Sequence, residues 1–368
     1  MISLGTEKID SSQFFIVSLL YTLGSAIIFI PHIVIKHAQQ NAWIASLLAL
    51  AIGLLPLCLY FKMNQRFPNK TFIQILEATF GKIGGKIVGF ITITGFHLYL
   101  TVMTFRDFGD FVFIHLLPET PLHVILILLV IVVTYATKEG LEVIARVGQI
   151  LVPIVIFLFL LSCVLLLENS DKNNLLPLLD DGWKPVIRAA IPNIGFPFLE
   201  AFVLLILFSY VKPKEKLGKS MFLGVAIGGF MIVIAVTFSL LVFGVEYSSA
   251  KIYVPYLLGA EINIANVIQR IEVIIASIWI VSIFIKICIL FLTTVMGIQQ
   301  LFNSSNYRIY VLPLALLIIP LSMMVMPNMS YWGIIENVWP FYAALFAVCL
   351  PVVVLIVSSF KRKQGKIT

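Results

Sequence analysis

Long apolar runs separated by short polar connections dominate the chain. Runs close to the roughly 20 residues that a helix needs to cross a bilayer recur ten times. They fall at residues 13–35, 40–60, 86–106, 122–138, 148–167, 191–211, 219–244, 272–298, 309–326 and 338–360. The connections reach only about 25 residues, which leaves no room for a soluble domain. The pattern predicts an all-α integral membrane protein: one polytopic domain of ten transmembrane helices. Asp10 and Gln13 have capping-box spacing at the start of the first span. That span is too long for a cleavable signal, and no small-residue cleavage site follows it.

Two of the runs are interrupted at matching points, five spans apart. The first breaks at Leu23-Gly24-Ser25 and the sixth at Gly195-Phe196-Pro197. Glycine reaches backbone conformations closed to other residues, and proline removes a helix donor. Broken backbone at membrane depth survives only where protein or a polar cavity satisfies its N–H and C=O groups. A matched pair of broken helices points to a small-solute site near the bilayer midplane. Each five-span half crosses an odd number of times, so the second repeat (residues 191–360) is inverted relative to the first (residues 13–167).

Composition and charge agree with this picture. Of 368 residues, 60% are hydrophobic and 12% charged, about half the charge of a soluble domain. With the N-terminus inside, one set of loops holds Lys8, Lys62, Arg66, Lys70, Lys82, Lys86, Lys138, Arg146, Lys212, Lys214, Lys216, Lys219, Arg308, Lys361, Arg362, Lys363 and Lys366, 17 in all. The other set holds Lys36, Arg106, Lys172, Lys184, Arg188, Lys251 and Arg270, which is 7. The positive-inside rule then puts both termini in the cytoplasm. The basic residues sit in separate short loops without interleaved aromatics, which excludes a nucleic-acid patch.

Catalytic chemistry has no foothold. Cys58, Cys163, Cys288 and Cys349 all lie within spans without metal-ligand spacing, and read as packing residues. No nucleophile–base or metal constellation is present, so neither an enzyme nor a cofactor is expected. Gly81-Lys82-Ile83-Gly84-Gly85-Lys86 lacks Walker spacing and reads as a cytoplasmic turn. Gly224 and Gly228 read as a close helix-packing face.

The breaks suggest a zwitterionic ligand such as an amino acid. Gly24 opens the first break, and Ser25, Ala26 and Ile27 start an outer half-helix whose free N–H groups suit a carboxylate. Carbonyls at Ile194 and Gly195 can accept from an ammonium group. On the third span Thr94, His97 and Thr101 form one polar stripe, with Tyr99 nearby; the stripe either faces the ligand or bonds between helices. Phe198, Leu199, Glu200 and Phe202 follow the sixth break, and Ser282 and Lys286 share one face of the eighth span. Phe198, Phe202 and His97 suggest a ligand with a medium-sized or apolar side chain. Glu200 and Lys286 are the sharpest signals, because a mid-membrane charge costs about 2.5–3.5 kcal/mol even on the permissive scale. They read either as a ligand- or proton-responsive pair or as a permanent structural one.

Several stretches resemble a known family. They include Lys8-Ile9 with Gln13, Leu23-Gly24-Ser25-Ala26-Ile27-Ile28 with Pro31, Asn41-Ala42-Trp43-Ile44, Arg66-Phe67-Pro68-Asn69 and Phe80-Gly81-Lys82. Further along come Asn174-Leu175-Leu176-Pro177, Gly182, Ile191-Pro192, Gly195-Phe196-Pro197-Phe198-Leu199-Glu200, and Gln269-Arg270-Ile271-Glu272 followed by Ile278-Trp279-Ile280 and Phe284-Ile285-Lys286. In order and spacing these resemble the B subunits of spore nutrient-germinant receptors, the spore permease branch of the amino acid/polyamine/organocation superfamily. The resemblance implies a LeuT-type fold, residence in the spore inner membrane, and sensing of an amino-acid-like germinant together with an A subunit and a lipoprotein C subunit. It also implies that nothing need be transported. Glu200 and Lys286 match family positions; Arg270 and Glu272 match as well and are expected to be structural at the outer mouth. His97 matches no family pattern. A proton-coupled amino-acid symporter is the alternative, whereas a purely structural subunit has no use for the breaks.

Overall fold

The computed structural model describes residues 8–261, 263–264, 268–269, 272–326 and 332–363 of the chain. Its helices are α1 (Ser11–Leu23), α2 (Ala26–Ala38), α3 (Ala42–Gly53), α4 (Leu55–Arg66), α5 (Phe72–Phe80), α6 (Lys82–Thr92), α7 (Tyr99–Phe111), α8 (Leu122–Glu139) and α9 (Leu141–Leu166). They continue with α10 (Trp183–Asn193), α11 (Lys214–Ala250), α12 (Val254–Glu261), α13 (Glu272–Phe302), α14 (Arg308–Val325), α15 (Trp332–Ala344) and α16 (Leu350–Lys363). Among the described residues, nine helical runs are long and apolar enough to cross a membrane, and α1 is a shorter apolar helix. The core is continuous across these helices, and many large apolar side chains face outward, as lipid-facing surfaces require.

The element ends collect on two opposite faces. A short parallel pairing of β1 (Ile9–Asp10) with β2 (Val211–Lys212) joins the start of the first span to the end of the sixth. The same face carries Arg66, whose Nη1 donates to the Leu355 carbonyl (3.1 Å) and to Ser359 Oγ (2.7 Å). On the other face Gln40 Nε2 donates to the Pro177 carbonyl at 3.0 Å, and the Leu179 amide donates to Asn41 Oδ1 at 3.0 Å. The capping box forms as its spacing requires: Asp10 Oδ1 accepts from the Gln13 amide at 2.8 Å, and Gln13 Oε1 accepts from the Asp10 amide at 3.0 Å.

Small residues let two spans approach closely. A Cβ on Gly224 would lie 2.5 Å from the Phe15 carbonyl oxygen, and one on Gly228 would lie 3.0 Å from that of Leu19. Helix α11 therefore packs directly on α1, and the Gly224/Gly228 face works within the bundle. The Gly81 turn also forms, with φ 82° immediately before α6.

Several features depart from a plain ten-run pattern. The third span continues past Arg106 to Leu116 and contains two π-wound segments, Ile93–Leu98 and Val112–Leu116. Helices α5 and α12 occupy connections. Within α11 the backbone turns sharply at Gly244 (φ 67°). The four cysteines are unpaired. Arg270 lies outside the described residues.

Candidate functional site

The first break is a fitted junction. Gly24 adopts φ 12°, ψ −119°, and a Cβ there would stand 2.3 Å from Lys286 Cδ and 3.0 Å from the Tyr21 carbonyl oxygen. Only glycine leaves that space. Ser25 and Ala26 then start the second half-helix, α2, both fully buried. In the sixth span Pro197 cannot donate, and Phe196 leaves helical geometry at φ −129°, ψ 111°. Beyond it, Leu199–Tyr210 winds as a 3₁₀ helix that carries Glu200 inward.

Lys286, from the middle of α13, reaches both breaks. Its Nζ donates to Glu200 Oε2 at 2.7 Å and to Ser25 Oγ at 3.1 Å. The ammonium also lies over the Phe196 ring (4.8 Å to the centroid) and the Tyr21 ring (5.4 Å). Tyr21 closes the circuit, its hydroxyl donating to the Glu200 carbonyl at 3.1 Å. Side-chain exposure is 0% for Lys286 and 2% for Glu200, so each charge depends on the other for its solvation. One lysine from a neighbouring helix thus fastens the two interrupted spans together.

Beside this circuit lies a cavity lined by Ser25, Tyr99, Asp107, Phe196, Glu200 and Trp339. Its free space is about 40 Å³, enough for one or two waters and less than an amino acid occupies. At one end it reaches Ile33 and Glu336. There Glu336 Oε1 meets Lys36 Nζ at 3.0 Å and His37 Nε2 at 3.5 Å, tying α2 to α15.

Of the sequence candidates, Gly24, Ser25, Glu200 and Lys286 converge here, with Ala26 adjoining. The others sit elsewhere. Gly195 packs on α15, where a Cβ would fall 2.7 Å from Pro340 Cα. Phe198 fills the space above Gly53 and Gly229. Leu199 borders an outer apolar groove with Ile52, Leu55 and Pro340. Phe202 belongs to an edge-on aromatic cluster with Tyr60 (5.8 Å), Phe72 (5.6 Å) and Phe96 (5.6 Å). His97 is buried against that cluster, 6.2 Å from the Phe202 ring, and does not border the cavity. Thr101 donates to the His97 carbonyl (2.7 Å) and pairs with Thr294 Oγ1 (3.0 Å) on α13, which is helix-to-helix bonding. Ser282 Oγ donates back to the Ile278 carbonyl of its own helix at 2.7 Å.

The residue that sequence reasoning missed is Asp107. It is 5% exposed and borders the cavity. Placing the end of the third span at Arg106 assigned it to a loop. Two charges three or four residues apart on a span end, here Arg106 and Asp110, were the available signal that the helix continues past them.

Two broken helices joined across a central cavity define a transporter-like membrane protein, and known structures bear this out. The nucleobase-cation-symport-1 transporter Mhp1, closed around bromovinylhydantoin, superposes with a TM-score of 0.67 at 11% identity, covering 96% of this chain and 79% of that one. MhsT in complex with L-phenylalanine superposes with a TM-score of 0.61 at 14% identity, covering 96% and 99%. The fold is that of the LeuT-type transporters. Residues 8–330 match the spore permease family, described as spore germination protein, and the chain belongs to that family. It is 27% identical over 362 residues to spore germination protein KB of Bacillus subtilis (strain 168), covering 97% of this chain and 96% of that protein. The chain is therefore a multi-pass membrane protein of the spore germination family with a transporter-like fold, and not an enzyme.

Proposed function

We propose that the chain is the membrane (B) subunit of a nutrient-germinant receptor, and that a small amino-acid-like germinant is sensed in the cavity beside Ser25 and Glu200. The observation that carries this reading is the position of Lys286, whose ammonium holds Glu200 at 2.7 Å and Ser25 at 3.1 Å across the two breaks. A ligand carboxylate arriving at the half-helix beginning at Ser25 competes for that same ammonium. Binding then changes what fastens the first span to the sixth, and a ligand shifts an equilibrium only through such differential contacts. The cavity has to widen to admit the ligand, which couples occupancy to movement of the surrounding helices.

The membrane arrangement belongs to the same reading: ten crossings, two inverted five-span repeats (residues 13–167 and 191–360), both termini cytoplasmic, in the spore inner membrane. The A subunit and the lipoprotein C subunit are the partners that carry the signal onward. The likeness to Mhp1 and MhsT supports a second reading, a proton-coupled amino-acid permease using the same cavity. Uptake of radiolabelled amino acid into proteoliposomes separates the two: a receptor binds without net uptake.

The test is Ser25→Leu, which fills the cavity beside the break. Spores carrying this variant should lose their response to amino acid germinants while the protein accumulates to its normal level. A normal response at the usual germinant concentration contradicts the reading.

A further inference from the structure

Most charges around the cavity are matched pairwise. Lys286 and Glu200 pair at 2.7 Å, and Lys36 and Glu336 at 3.0 Å. Arg106 turns its Nε onto Asp110, at 2.8 and 2.9 Å from the two carboxylate oxygens, and so turns away from its neighbour in sequence. Asp107 is left over. It is 5% exposed, it lines the cavity, and its Oδ1 has no hydrogen-bond partner among the described residues.

A buried carboxyl oxygen without a donor is costly, and native structures hold few of them. Two donors that could approach it are engaged elsewhere: Thr104 Oγ1 donates to the Leu100 carbonyl at 2.8 Å, and Lys286 Nζ donates to Glu200 and Ser25. A metal ion is a poor match, because no group of three or more His, Cys, Asp or Glu residues is arranged to hold one among the described residues. An ammonium group fits, since it brings up to three donors and a compensating charge. At the sixth break the Ile194 carbonyl already accepts from the Leu199 amide, which weakens that end as an amine site.

We infer that Asp107 is the acceptor for the ligand's ammonium group, so that the cavity selects amine-bearing ligands and holds them with the carboxylate toward Ser25 and the amine toward α7. This rests on the cavity being the ligand site. Asp107 gives that site its specificity: a 2-hydroxy acid of the same shape lacks the charge that Asp107 requires.

The experiment uses the full chain in lipid nanodiscs. Its Tm is recorded against the twenty common amino acids and against 2-hydroxy acids of matching side chain, for the unmodified chain, Asp107→Asn and Asp107→Glu. At least one amino acid should raise the Tm of the unmodified chain, and its hydroxy counterpart should not. Asp107→Asn should weaken that amino acid about 10- to 100-fold, the equivalent of one lost charge-assisted hydrogen bond, while Asp107→Glu retains the preference for the amine. The unliganded Tm of Asp107→Asn should equal or exceed that of the unmodified chain, because no partner is lost. Unchanged affinity in Asp107→Asn, equal binding of the hydroxy acid, or a drop of several degrees in the unliganded Tm overturns the role of Asp107 and leaves the cavity as ligand site intact. A panel in which no amino acid shifts the unmodified chain overturns the site reading and the role of Asp107 together.

Discussion

Gly24 and Lys286 are shaped to each other: the space that a Cβ on Gly24 would fill is taken by Lys286 Cδ, 2.3 Å away. The first break is therefore a socket for the lysine stem as well as an interruption of a helix. Gly24→Ala forces the lysine, or the backbone of α1, to move, and overpacking of this kind typically costs about 1–3 kcal/mol. The variant should show a lowered Tm and a weakened germinant response. Shortening the lysine in a Gly24→Ala, Lys286→Ala double variant should remove the clash, so its Tm should fall by less than the sum of the two single losses. Additive losses would show that the two residues are not fitted to one another.

The Glu200–Lys286 pair makes a second prediction. Both side chains are buried, so neutralising one leaves the other charge unpaired, at a cost of about 3–5 kcal/mol. Glu200→Gln and Lys286→Met should each sharply reduce protein abundance. The combined variant should recover much of it, since no stranded charge remains. If the combined variant accumulates without responding to germinant, the pair works in signalling; recovery of both makes it structural. Strictly additive losses contradict the pairing.

At the Ile33 end of the cavity, Glu336 holds Lys36, whose side chain is 44% exposed, and His37. Although Glu336 itself is 5% exposed, the hydrated Lys36 end keeps the net contribution of the pair to about 1 kcal/mol. Its effect should be on access. Glu336→Gln should leave the Tm nearly unchanged yet speed modification by a membrane-impermeant thiol reagent of a Met103→Cys reporter, whose parent residue lines the cavity. An unchanged labelling rate would show that this contact does not close that end of the cavity.

Much of this site was legible in the sequence. The two breaks were visible as Gly24-Ser25 and Gly195-Phe196-Pro197, and the capping box as Asp10 and Gln13, because glycine, proline and capping residues act locally. Glu200 and Lys286 stood out because a charge in an apolar run has few ways to survive. Of the two readings of the Thr94/His97/Thr101 stripe, Thr101 follows the helix-to-helix one, and the stripe lies off the cavity for a specific reason. It assumed uninterrupted α-helical phase, and the π-wound turn at Ile93–Leu98 inserts about one extra residue, which rotates everything beyond it by about 100°. Tyr99, Met103, Thr104 and Asp107 come to the cavity instead. Asp107 was hidden because the buried Arg106–Asp110 pair lets a charged stretch continue as helix to Phe111. Tertiary neighbours such as Gly53 and Gly229 decide where Phe198 goes, and no local pattern carries that information.

Sidedness gives a further prediction. In a background lacking the four cysteines, Asn173→Cys and Lys216→Cys, both at exposed positions, report on opposite faces. An impermeant thiol reagent applied outside should label the first at once, and the second only after the membrane is opened. Outside labelling of Lys216→Cys contradicts cytoplasmic termini and the ten-crossing arrangement.

The dissociation constant of the most effective amino acid, measured on the purified full chain and on its Ser25→Leu variant, tests ligand sensing at the joined breaks most directly. Saturable binding to the unmodified chain, and none to a Ser25→Leu chain that still unfolds in one cooperative transition, is the predicted result. Equal dissociation constants for the two would contradict a ligand site between Ser25 and Glu200.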